Sequence, residues 1–328
     1  MAVTTPTDVA TSIPEKYAAA VLRDMKKDTF WSNLASKEAG QGAIREKTEL
    51  LNKPGEQVHI QVTAPLTGVG QSGDIQTLEG NEEKLSTSEI IVTTTYYRHG
   101  VRVNNRAQKK SMLNLRNEAR LRLAEWGRDK LDTMRFANFT AAAGSNESYG
   151  TQQIRYVGGV GTVNGIVAAD KLTLTEISKA KYVMKANGAH PWNIRGNKYF
   201  GLVIEDWVEY DLKELDTSYA QAEREAGVRG HENPLFTGAG AIWNGVIIYA
   251  ADRVVAAPNT AGTPVRVAHN LMFGKEAFVE AYGSKPSWAE DTFDYGHEFG
   301  VAYGFDYGCQ RSFEDYSLQI VTSAVVAE

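Results

Sequence analysis

Three constellations in this 328-residue chain hold residue types that could do chemistry. Gly68, Gly70 and Gly73 spell G-x-G-x-x-G. Bare backbone N–H groups in that pattern cradle a pyrophosphate when a strand precedes them, a helix opens at the third glycine and an acidic residue follows about 20 positions later. Glu205, Asp206, Glu209 and Asp211 follow an apolar run, where a glycoside hydrolase keeps a proton donor and its carboxylate partner. His297 and Glu298, with Asp294 and Asp306 nearby, are the best candidates for a metal site or an acid–base pair.

Each set weakens once its surroundings are read. Between Gly73 and Ser86 only Ile75, Leu78 and Leu85 are apolar, and Gly80 sits in the middle, so no helix opens at the glycines. His297 and Glu298, adjacent in a strand, point to opposite faces. The histidines at 59, 99, 190, 231, 269 and 297 never approach the H-E-x-x-H spacing. Cys309 is the sole cysteine, which excludes an intramolecular disulfide and fits a reducing cytoplasm. Neither G-x-S-x-G nor G-x-x-x-x-G-K-[ST] occurs. The reading is therefore of a protein that is not an enzyme, with no catalytic, cofactor-binding or metal residue assigned; a carbohydrate-active hydrolase using residues 205–211 is the lesser alternative.

Apolar residues at 42% and charged ones at 23% describe a globular chain, and no apolar run reaches the ~20 residues of a membrane span. The amino terminus lacks the basic start and apolar centre of an export signal. Pro14–Ala35 carries Tyr17, Val21, Leu22, Met25 and Phe30 at helical spacing and reads as an arm or outer helix. After the Pro54-Gly55 turn, alternation over Gln57–Leu66 and β-branched and aromatic enrichment over Ser88–Val103 predict two strands. Read as one ribbon over 57–103, with about eleven residues a side, they would form an arm roughly 35 Å long, marginal in water unless it rests on another surface. Two strands of an ordinary sheet joined by a loose loop remain the alternative.

Gln108–Asn138 is the strongest helical stretch, with Met112, Leu115, Ala119, Leu123, Trp126, Met134 and Ala137 on one line. From Arg98 to Arg135 there are eleven Lys or Arg against four acids, a net of +7 in a chain whose total is −5. The ribbon tip, Asp74–Glu89, has five acids against one lysine. Opposite charge on helix and tip invites pairing, within the molecule or with the next copy. Beyond a small-residue joint at Thr140–Asn146, a capping box at Thr173–Glu176 opens a helix ending at Asn187-Gly188, Tyr199–Ile204 and Trp243–Tyr249 read as buried strands, and a polar helix lies around Tyr219–Ala226. FDYG occurs at Phe293–Gly296 and again at Phe305–Gly308; with Ser317–Val326 these predict three short antiparallel strands.

The order of these elements, together with YYRHGVRVNNRAQ, YFGLVIEDWVEYDLKEL, NPLFTGAGAIWNGVIIY and FGVAYGFDYG, resembles tailed-bacteriophage major capsid proteins, in particular the N-four-like coat proteins with the HK-ninety-seven type of capsid fold. The resemblance implies an α+β phage capsid fold: an amino-terminal arm (1–56), an extended β-hairpin loop (57–103), a spine helix of the peripheral domain (104–145), a mixed α/β axial domain (146–285), and carboxy-terminal strands completing the peripheral domain (286–328). It implies self-assembly through pentamers and hexamers into an icosahedral head that encloses double-stranded DNA without sequence-specific binding. Scaffolding, portal and decoration proteins are then partners, no membrane or cofactor takes part, and assembly occurs in the host bacterial cytoplasm. An encapsulin-like compartment is the nearest alternative. On this reading Asp74, Glu79, Glu82 and Glu83 at the loop tip meet Arg116, Arg120, Arg122 or Arg128 of an adjacent copy.

Overall fold

The computed structural model describes residues 30–36, 42–51, 55–63, 82–110, 115–140, 153–194, 197–215 and 241–324, with positions 66, 68, 70, 72, 79 and 219 between them. The expected helix over Pro14–Ala35 lies outside these residues up to position 29, as do Gly73, Asp74, the joint beyond Thr140 and the helix beyond Tyr219.

What is described of the arm is not an outer helix. Phe30–Leu34 is a 3-10 turn, and Trp31 within it is fully buried. Its ring meets those of Phe136, Phe139, Phe273 and Phe278 at centroid distances of 5.3 to 5.6 Å. A buried aromatic of this size contributes on the order of 3 kcal/mol by transfer alone, so the arm is anchored where the rest of the molecule converges.

Two sheets converge there. A five-stranded sheet runs Ala35–Ser36, Ile44–Lys47, Phe278–Phe293, Glu298–Arg311, Thr95–Asn104. The first two joins are parallel and the last two antiparallel. An eight-stranded sheet has the path Ile154–Tyr156, Ser317–Ser323, Arg266–Phe273, Asn197–Ile204, Val246–Ala250, Ala241–Trp243, with two short strands beside it. Phe200, Leu202 and Ile204 face Ile177, Ala180 and Met184 of helix α3 (Leu174–Ala186) and Val208 and Leu212 of α4 (Asp206–Leu215). Val203, Ile247, Tyr249 and Phe273 share the core that also holds Trp31, Phe136 and Phe139. Both faces are covered, which is why Tyr199–Ile204 reads as an almost unbroken apolar run. Half of the capping box forms: Thr173 Oγ1 accepts the Glu176 N–H at 3.3 Å, while the Glu176 carboxylate turns instead to Arg155 and Lys179, and the helix ends at Asn187 with Gly188 at φ +85°.

The long basic helix differs from expectation. A short helix α1 covers Asn105–Lys110, and α2 runs Leu115–Thr140, 26 residues or about 39 Å. The Gln108 side chain accepts the Leu115 N–H at 2.9 Å, satisfying a donor at the new start. The buried line steps by four through Ala119, Leu123, Gly127, Leu131 and Arg135, and widens with Phe136 and Phe139. Ala137, placed on the apolar stripe by spacing, is exposed.

The ribbon is also shorter than 57–103 implied. Gln57–Thr63 pairs with Thr87–Thr93, seven residues a side and about 23 Å, and Thr95–Asn104 leaves it to pair with Glu298–Arg311. Thr94 alone separates ribbon strand from sheet strand, its N–H donating to Glu56 O at 2.9 Å. The crossing passes over Gly308, where a Cβ would come 2.1 Å from Thr93 O, so only glycine admits it. The tail differs too. Of the three strands expected together, Ser317–Ser323 lies in the eight-stranded sheet, between Arg266–Phe273 and Ile154–Tyr156.

Candidate functional site

Most of the carboxylates that suggested catalysis are paired with cations from elsewhere in the chain. Glu205, 3% exposed, accepts from Arg266 Nη2 at 2.6 Å, and its own N–H donates to Asn270 Oδ1 at 3.2 Å. Asp211 accepts from Lys171 at 2.6 Å. Glu209 lies 3.2 Å from Lys213 and accepts from the Tyr219 hydroxyl at 3.3 Å, while Asp206 is exposed at the start of α4. A proton donor and a nucleophile would need one shared cavity and divergent environments, whereas three of these four carboxylates are held as structural anions. Among the described residues no three of His, Cys, Asp and Glu come together as a metal site. His297 Nε2 is 3.0 Å from the Asn104 amide nitrogen, and Glu298 pairs with Arg102. At the glycines, the Gly68 N–H that a phosphate would require donates to Glu83 Oε2 at 2.7 Å.

The arginines chosen as contact candidates are engaged largely within the chain. Arg116 and Arg120 converge on Glu290 of the strand Phe278–Phe293, with Arg120 Nε at 2.8 Å. Burial pushes the Glu290 carboxyl upward, but hydrogen bonds and charge from the two guanidinium groups prevail and hold it below its ordinary value. Arg122 lies between Glu125 at 2.7 Å and Glu118 at 2.9 Å, one turn ahead and one behind. Arg128 lines a shallow cleft with Arg122, Trp126, Asp129 and Arg253. Glu79, Glu82 and Glu83 are exposed at the ribbon's far end.

Sequence reasoning missed the strongest polar cluster. Arg135, counted among the surface charges of the basic helix, is 2% exposed. Its Nη2 donates to Glu280 Oε2 at 2.6 Å, its Nε lies 3.0 Å from both Glu280 Oε2 and the Tyr307 hydroxyl, and Tyr307 also donates to Glu280 at 2.9 Å. The signal was present in the fourfold step Leu123, Gly127, Leu131, Arg135, which continues a buried line into a charged residue. Next to it, burial pushes the Cys309 thiol up to about 11, which keeps it protonated and inert at neutral pH.

The ribbon is the region with least support inside the chain. Its base is covered: Val58 and Val92 are buried against Val279 and Ala281, with Ile60, Ile90 and Leu50 around them. The other face shows His59 with Glu89 at 3.0 Å, and Ile91 is 38% exposed. Farther out, Leu66 and Leu85 are 65% and 67% exposed. An apolar pair exposed at the end of a two-stranded ribbon is suited to contact rather than to chemistry.

Comparison with known proteins places this architecture. A family model described as phage capsid protein matches residues 10–326. A major capsid protein of Pseudomonas phage KPP25 is 26% identical, covering 79% of this chain and 78% of that one. Among solved structures, the capsid of Ralstonia phage GP4 aligns with a TM-score of 0.79 at 22% identity over 92% of each chain. The Cyanophage Pam1 capsid aligns at 0.75 and 16% identity, over 90% of this chain and 92% of that one.

Proposed function

From the premise that this chain belongs to the phage capsid protein family, as a shell-building major capsid protein, we propose that many copies close an icosahedral head around double-stranded DNA, with each ribbon lying on an adjacent copy. The carrying observation is the ribbon itself: it is covered at its base by Val279 and Ala281, and every described residue between Thr63 and Glu89 is exposed. A sister molecule supplies the surface that the chain lacks. At the tip, Asp74, Glu79, Glu82 and Glu83 lie over the arginine face of the neighbour's α2. Arg116 and Arg122 are the exposed members of that face, and both already hold carboxylates of their own chain, Glu290 for Arg116 and Glu118 with Glu125 for Arg122. Each exposed pair contributes under about 1 kcal/mol, so these pairs set register while buried apolar area holds the shell.

On this reading the five-stranded sheet with α2 is the peripheral domain, and the eight-stranded sheet with α3 and α4 is the axial domain that meets its copies around five- and six-fold axes. The work is structural and not enzymatic, in keeping with anions at 205, 209 and 211 that already hold cations. Net negative charge keeps the shell from binding DNA tightly enough to hinder packaging. Assembly takes place in the host bacterial cytoplasm with separate scaffolding, portal and decoration proteins; no helix among the described residues is long and apolar enough to cross a membrane. Negative-stain electron microscopy of the purified protein tests the proposal. Shells, or rings of five and six, are expected, and a small oligomer with hydrolase activity that Glu205→Gln abolishes would overturn it.

A further inference from the structure

Val301, Tyr303 and Phe305 turn one face of the five-stranded sheet into the core under α2; the alternate residues face the other way. On that outer face two rings of the chain lie on glycines. Phe293 covers Gly300, where a Cβ would come 2.8 Å from its Cε2, and the Tyr96 phenol covers Gly304, where a Cβ would come 2.5 Å from the hydroxyl oxygen. Between them the row Ala289, Ala302, Gly100 offers nothing larger than a methyl group. A cleft of about 230 Å³ lies over this row, bounded at one end by Phe293, with the Arg102 guanidinium 4.3 Å from the centre of its ring. Successive rows on one face stand two residues apart, about 6.7 Å. A ring seated on the bare row would therefore have an aromatic neighbour on either side, within the roughly 4.5–7 Å at which such pairs pack.

The same hairpin presents such a ring. Among the described large apolar residues Tyr295, at its turn, is the most exposed, at 110%. Asp294, Tyr295 and Gly296 take φ of 50°, 49° and 85° in succession. A bulky side chain seldom occupies that left-handed region, where glycine would be unstrained, and the turn holds the ring clear of its own sheet. Charge agrees with a contact between the two features. Asp294, beside the ring, and Arg98, paired with Gly304 in the row next to the cleft, are both exposed, and neither forms an ion pair among the described residues. We propose that Tyr295 of one copy enters this cleft on another copy, bringing Asp294 to Arg98, so that the hairpin carries both halves of a contact between subunits. The inference rests on the shell-forming function proposed above and adds a second contact to that of the ribbon.

Full-length Tyr295→Cys and Ala302→Cys chains, mixed and assembled together under mild oxidation, test this, since Cys309 is buried and otherwise the only thiol. A disulfide-linked dimer on a non-reducing gel is expected from the mixture and from neither variant alone. Shells without that dimer, or a dimer from Tyr295→Cys alone, overturn this contact and leave the shell-forming function standing; no shells from the unaltered protein overturn both. A second measurement needs no cysteine. Tyr295→Gly relieves the turn, so the melting temperature of the isolated subunit should stay level or rise, while the protein concentration needed to form shells rises about tenfold or more. An unchanged concentration threshold, or a lower melting temperature that would make Tyr295 a folding residue, overturns the proposal.

Discussion

Arg135 and the ribbon tip are both strongly charged parts of one chain, treated in opposite ways. Around Arg135 the chain closes on itself: guanidinium, carboxylate and two tyrosines from three elements are buried together, with rings of Tyr282 and Tyr307 5.2 Å apart. Among the described residues the ribbon is covered at its base alone, and Leu66, Glu79, Glu82, Glu83 and Leu85 are exposed. The first region is determined from inside the subunit. On the function proposed above the second is left for other copies, and the contrast would then separate what this sequence needs for folding from what it needs for assembly.

The sharpest way to break that contrast is at Arg135. Arg135→Met leaves the Glu280 carboxylate buried and unpaired, and urea unfolding of the subunit should lose about 3–5 kcal/mol. Adding Glu280→Leu should recover much of it, because the pair can be replaced by apolar volume more cheaply than it can be halved. At the ribbon base, Val92→Ala removes two buried methyl groups, about 1.5 kcal/mol. That loss should appear as faster hydrogen exchange across Thr87–Thr93 with an unchanged global midpoint; a shifted midpoint would show the ribbon to be part of the folding core.

Glu290→Gln sharpens the comparison at the surface of α2. Because the folded-state carboxyl is held below its unfolded value, its contribution is present above the ordinary carboxylate range and disappears as pH falls through the lowered folded value. The variant should be less stable by under about 1 kcal/mol at neutral pH and indistinguishable from the unaltered protein in strong acid. A gap that persists in acid would mean the side chain acts by packing and not by charge. The smallest effect on the subunit is expected from replacing residues 66–85 by Asn-Gly: within about 0.5 kcal/mol in stability, yet with no shells by electron microscopy.

Local signals in the sequence predicted local structure well. The Thr173 capping box, the apolar run at Tyr199–Ile204 and the basic helix all stand near their expected places. What could not be read was pairing at long range. Ser88–Val103 has one composition throughout, but Thr94 divides it between two sheets because Gly308, more than 200 positions on, leaves room for the crossing. The two FDYG copies show the same limit. In one, Phe305 fills the core and Tyr307 binds Arg135; in the other, Asp294 and Tyr295 turn a hairpin at φ of 50° and 49°. Arg135 was misplaced for a related reason, since a charge on a helix is buried only if a distant strand brings it a partner. Of the contact residues, the sequence indicated the charges but not that Glu290 would hold two of the arginines first.

The single residue between Thr93 and Thr95 has a mechanical consequence. A pull on the ribbon tip travels along an almost unbroken strand into Thr95–Asn104, which is paired with Glu298–Arg311 along its whole length. Tension applied lengthwise loads those hydrogen bonds in shear, all together, rather than peeling them one after another. The hairpin thus works as a tendon inserted in the sheet, able to carry force from its far end into the body of the subunit.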